Sequence, residues 1–188
     1  MHAVTTRTPR QLACATLALV AATAIAADHG ATNPVAREID AQVWIPMLEA
    51  SDRFDAQGFL DVQSQDLVRV SLDRNEVYGL DRYSREISAG FDRARERGIK
   101  RQSELRFLTR THSNGLARDT GIFRSRVLLP GGERQDRYTA FEMILRKEDG
   151  RWKSLFDQDT GRNGAISEED YLKGSLLNRA ASEQDKHR

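Results

Sequence analysis

The chain has 188 residues, 29 Lys and Arg against 28 Asp and Glu, and a formal net charge of +1. With charge so evenly balanced and no basic block free of interleaved acids, the electrostatic footprint of a nucleic-acid binder is excluded. The one cysteine, Cys14, falls in an N-terminal segment read as removable, so disulfides, thiol catalysis and cysteine metal sites are excluded from the mature chain.

That segment has the build of an export signal. Arg7 and Arg10 precede an uncharged apolar run within Gln11–Ile25, and Ala24-Ile25-Ala26 is a small-x-small cleavage site. The run is shorter than the ~20 residues a spanning helix needs. A signal peptide over residues 1–26 is expected, and hence a periplasmic or secreted protein with no membrane association after cleavage. About 160 residues remain, enough for one domain with a sizeable core.

Residues 27–43 read as a lead and a first helix, with Asn33 as cap, Pro34 in the first turn, and Val35, Ile39 and Val43 at helical spacing. Pro46 kinks this helix or starts a second. Asp66 to Leu72 alternates like a strand, Asp73 to Glu76 is a turn, and Val77-Tyr78-Gly79 leads into the clearest helix of the chain. There Asp81 is the expected cap, Tyr83, Ile87, Phe91 and Ala94 form one stripe, and Gly98 ends it.

Four long antiparallel strands follow, at Arg101–Thr111, Leu116–Leu129, Arg137–Lys147 and Arg151–Asp157, joined by short turns rich in Gly, Asn and Pro. Strands this long imply a curved sheet, bent by bulges or by a small residue such as Gly121. In the third, Thr139, Phe141, Met143, Leu145 and Lys147 share the more apolar face, which should meet the helices. A helical front half and a strand-rich back half make an α+β domain, a curved antiparallel sheet closed by about three N-terminal helices. The main domain is expected over residues 44–175 and a flexible tail over 176–188.

The order of several short motifs resembles the nuclear transport factor 2-like superfamily, which includes SnoaL-like polyketide cyclases and ketosteroid isomerase. The matching residues are Asp52-Arg53-Phe54-Asp55, Gln65-Asp66-Leu67-Val68, Tyr78-Gly79-Leu80-Asp81, Gly121-Ile122-Phe123-Arg124 and the run from Glu148 to Lys153 with Asp157 after it. The resemblance implies a cone-shaped sheet around a mostly apolar pocket for a small apolar or carbonyl-bearing molecule, with no cofactor, and a homodimer formed through the open sheet face. It also implies a possible chemistry, isomerase, cyclase or dehydratase, with an aspartate as general base.

The residues themselves fix no base. Asp52, Asp55 and Asp157 are the candidates for catalysis, each with a plainer reading as a cap, a turn or an ion-pair partner. Candidate pocket residues are Trp44, Leu48, Tyr78, Tyr83, Phe91, Phe141 and Met143, with core packing as the alternative for Phe141 and Met143. Glu104, Arg106, Arg110, Arg124 and Arg126 are expected to form exposed cross-strand pairs. A calcium loop over Asp159–Asp170 fits poorly: Gly161 stands where an oxygen ligand belongs, RWKSLF before it reads as a strand, and Ser167 reads as a helix cap. No metal site is expected.

Overall fold

The computed structural model describes residues 33–179. The segment expected to be a signal, with Cys14, and residues 180–188 of the expected tail lie outside the described residues. Helix α1 (Pro34–Ile39) is capped by Asn33, whose Oδ1 accepts from the Val35 N–H at 2.9 Å. It continues through a π-helical turn, Asp40–Trp44, into α2 (Ile45–Arg53). Pro46 accounts for the widened turn: it has no N–H to give the carbonyl four residues back, and its ring crowds that carbonyl. The Ile45 N–H reaches instead to the Asp40 carbonyl. Phe54, at φ 54°, ends α2, and Asp55 caps α3 (Ala56–Leu60) by accepting from the Gly58 N–H at 3.0 Å.

Strand β1 (Gln63–Ser71) forms a hairpin with β2 (Glu76–Gly79). The segment read as a lead into the next helix is thus a short edge strand. Helix α4 (Leu80–Glu96) has Gly79 at its N-cap with no side-chain cap, and Asp81 lies inside the first turn. There the carboxylate still suits the helix dipole, but the expected cap at Asp81 is not formed. Gly98, at φ 63°, follows the helix end as expected.

The long strands are β3 (Lys100–Ser113), β4 (Leu116–Leu128), β5 (Arg134–Glu148) and β6 (Arg151–Thr160). A 3₁₀ turn (Arg162–Gly164), helix α5 (Glu168–Leu172) and strand β7 (Ser175–Leu176) follow. The sheet order is β2-β1-β6-β5-β4-β3-β7, antiparallel throughout except for β1 and β6, which run parallel. Residues of the suspected calcium loop lie on β6 and the turn after it, and Ser167 forms a capping box with Asp170.

Register shifts between Phe107 and Thr109 and between Ile144 and Leu145 bend the sheet. Gly121 sits at the first bend. A Cβ there would lie 2.2 Å from the Arg106 carbonyl oxygen and 2.7 Å from the Phe141 ring. The inner face packs Leu105, Phe107, Phe141, Met143, Leu145 and Trp152 against Ile39, Val43, Trp44 and Leu48 of the helices. On the outer face the C-terminal arm lays Ile166 and Tyr171 over Ile122, Tyr138 and Ala140. Residues 176–179, expected within the tail, stay on the sheet: Leu177 is buried and its N–H donates to the Leu105 carbonyl.

Candidate functional site

The parallel pairing of β1 with β6 sets Arg69 beside Asp157, both on the inner face. Helix α4 carries Tyr83 over them, one turn after the β2–α4 junction. Tyr83 donates its hydroxyl hydrogen to Asp157 Oδ2 at 3.2 Å. The Arg69 guanidinium donates through Nη1 to the Val70 carbonyl (2.7 Å) and the Asp157 carbonyl (3.1 Å), lies 3.7 Å from Asp157 Oδ1, and meets Asp159 Oδ2 at 2.5 Å through Nη2. It also stacks over the Tyr83 ring at 5.2 Å. Its Nε is buried and has no hydrogen-bond partner among the described residues. Side-chain exposure is 7% for Arg69 and 10% for Asp157, so these charges interact with little solvent screening.

Burial, helped by the Asp159 charge, pushes the Asp157 carboxyl up against the opposing pull of Arg69 and Tyr83. Burial and the Asp157 charge likewise push the Tyr83 phenol well up. The Arg69 guanidinium stays charged, because Asp157 and Asp159 outweigh its loss of water. A carboxyl with a raised proton affinity, a phenol donor and an arginine with a spare N–H are the groups that bind, or move a proton beside, a carbonyl oxygen.

A second buried charge cluster lies on the inner face of β3 and β4. Asp119 is fully buried and accepts from Trp44 Nε1 (2.8 Å), from Arg110 Nη2 (3.1 Å), and sits 3.1 Å from His112 Nε2. Arg110 also donates to both Asp40 oxygens, at 2.7 and 3.1 Å. The π-turn brings Asp40 and Trp44, four residues apart, onto this one cluster. Burial raises the Asp119 carboxyl, but His112, Arg110 and Trp44 outweigh it and hold it below its ordinary value. Each polar partner here is spoken for, which makes the cluster a clamp between helix and sheet.

The expected exposed pair at Arg110 is therefore wrong: the guanidinium is 8% exposed. Arg126 does form the surface pair expected of it, with Asp136. The other predicted site residues scatter. Asp52 accepts from the Ser103 N–H at 2.6 Å and meets Arg179, while Asp55 is the α3 cap; neither shares a partner with Asp157. Trp44 packs at 5.0 Å from Phe141 within the core that also holds Leu48 and Met143. Phe91 packs on Phe54 and Phe59, and Tyr78 belongs to a surface network with Arg74, Arg82 and Glu86. Of the candidates, Asp157 and Tyr83 are the two that meet through a hydrogen bond. Arg69 and Asp40 escaped the sequence reading. For Arg69 the alternation pointed the wrong way: between Val68 and Val70 it reads as solvent-facing, whereas Arg69 is buried and Val68 exposed.

A surface groove of about 400 Å³ lies at the β3 edge, lined by residues including Ser103, Leu105, Leu176 and Leu177. No helix of the described residues is long and apolar enough to cross a membrane.

No family model and no curated protein matches the sequence. Solved structures do. A ketosteroid isomerase-like protein from Erwinia carotovora atroseptica superposes with a TM-score of 0.52 at 16% identity, over 68% of this chain and 95% of that one. A nuclear transport factor 2-like protein of unknown function from Shewanella oneidensis gives 0.52 at 18%, over 64% and 96%. The association domain of calcium/calmodulin-dependent protein kinase II from Caenorhabditis elegans gives 0.51 at 13%, over 67% and 95%. The chain has the nuclear transport factor 2-like fold.

Proposed function

We propose that this chain, built on the nuclear transport factor 2-like fold, is an exported protein that binds a small apolar or carbonyl-bearing molecule. The ligand sits on the inner face of the sheet, with its oxygen at Arg69, Asp157 and Tyr83. The observation that carries this reading is the buried Arg69 Nε without a partner, inside an otherwise well-made cluster. A buried N–H left unpaired costs stability, so an ion pair kept for folding alone has no use for one. A ligand oxygen completes it.

Native mass spectrometry of the mature chain, purified from its own host, tests the reading. The expected result is a retained organic mass that is lost in Arg69→Gln while the fold persists by circular dichroism. A wild-type protein with no retained mass, and no affinity for aryl ketones on titration, refutes it.

A second reading, catalysis, is favoured by the raised proton affinity of Asp157 against Tyr83. In it Asp157 takes a proton from the carbon beside the bound carbonyl, and Tyr83 and Arg69 hold the enolate oxygen. Hydrogen–deuterium exchange at that carbon, abolished by Asp157→Asn without loss of binding, separates it from binding alone. We also place a homodimer interface on the outer sheet face.

A further inference from the structure

Polar capacity is left unused in a pattern. The buried side-chain atoms without a partner among the described residues include Gln63 Oε1, Arg69 Nε and Ser154 Oγ, and all three belong to the β1–β6 pair. Gln63 and Ser154 are register partners across that pair, as Arg69 and Asp157 are farther along it. Ser154 is fully buried and Gln63 is 3% exposed. Ser154 pairs with Leu145 and Asp157 with Met143 in β5, so both belong to the inner face. The aromatic wall over this seam comes from Phe59, whose carbonyl holds Gln63 Nε2 at 3.4 Å, and from Tyr83 beside it.

The two ends of the seam want different chemistry. Arg69 Nε can only donate, so it takes a carbonyl or carboxylate oxygen. Gln63 Oε1 can only accept, and Ser154 Oγ both donates and accepts, so together they take an O–H group. The bulge between them lets Ser154 and Asp157 share the inner face opposite Leu145 and Met143, two strand steps apart, or about 7 Å at roughly 3.3 Å per residue. Resting on the binding reading above, we infer that the ligand is a compact apolar molecule oxygenated at both ends. Its carbonyl lies at Arg69 and its hydroxyl, roughly 7 Å away, lies between Gln63 and Ser154.

Three probes test this: 6-hydroxy-2-acetylnaphthalene, 2-acetylnaphthalene without the hydroxyl, and 2-naphthol without the carbonyl. Each is titrated calorimetrically into the wild-type chain, Ser154→Ala and Gln63→Leu, all checked for folding by thermal melting. The doubly oxygenated probe should bind about tenfold more tightly than 2-acetylnaphthalene, one well-made hydrogen bond's worth. Each variant should erase that ratio and leave 2-acetylnaphthalene unaffected. If 2-acetylnaphthalene binds but the hydroxyl adds nothing, the binding reading stands and the seam inference falls. The same holds if both variants keep the full ratio, in which case Gln63 and Ser154 hold only an internal water. Failure of all three probes overturns both.

Discussion

Two buried aspartates of this chain are tuned in opposite directions, and the difference is one of partners. Asp119 has three donors on its two oxygens, and together they outweigh its burial. Asp157 has one phenol, a guanidinium at 3.7 Å and the repulsion of Asp159, and burial wins. The signs carry over to stability. A carboxyl depressed by folding contributes stability above the unfolded value of about 3.9, lost as pH falls through its folded value. A carboxyl raised by folding contributes below that value and loses the contribution as pH rises. Denaturant titrations at about pH 3 and pH 7, on either side of the ordinary aspartate value, should therefore give crossed results. Asp119→Asn should become more damaging with rising pH, and Asp157→Asn less so. Parallel slopes for the two variants would mean that both carboxyls titrate alike.

The elements were more legible than the charges. Periodicity located α1, α4 and the four long strands because burial imposes a period of 3.6 or 2 on the sequence. The bend at Gly121 was legible too, since a glycine in a long strand marks a bulge or a close approach. Its full reason needed the fold. The Arg106 carbonyl and the Phe141 ring occupy the space of a Cβ, and both come from neighbouring strands. Gly121→Ala should accordingly cost about 1–3 kcal/mol of unfolding free energy by overpacking, more than the same change at Gly131, where a Cβ meets nothing within 4 Å. Equal melting temperatures for the two variants would show that the bend relaxes freely. What the sequence hid were contacts between residues far apart. Arg69 meets Asp157 because β1 lies parallel to β6, and Asp40 meets Arg110, 70 residues away in sequence, because the first helix packs on β3. No local pattern announces either pairing.

At the scale of the molecule the outer sheet face is divided. Its β3–β4–β5 portion is covered by the chain's own arm, which buries Tyr171. Its other portion carries Val68, Phe156 and Ile144 in register across β1, β6 and β5, with Val70 and Val77 in the next row. Val68 is 42% and Val77 68% exposed. Apolar side chains aligned on bare sheet are where a second copy gains most by packing, and a two-fold axis there would bring each row onto its equivalent. The proposed homodimer therefore depends on this row and not on the arm-covered zone. Phe156→Lys should convert the dimer to monomer in sedimentation equilibrium, while Leu172→Lys, an exposed change on the arm, should leave it intact. Because Phe156 precedes Asp157 on the strand but points to the opposite face, the monomeric variant should still bind aryl ketones. If it dissociates and also loses binding, the inner site is completed across the interface; if neither variant alters the mass, the subunits meet elsewhere.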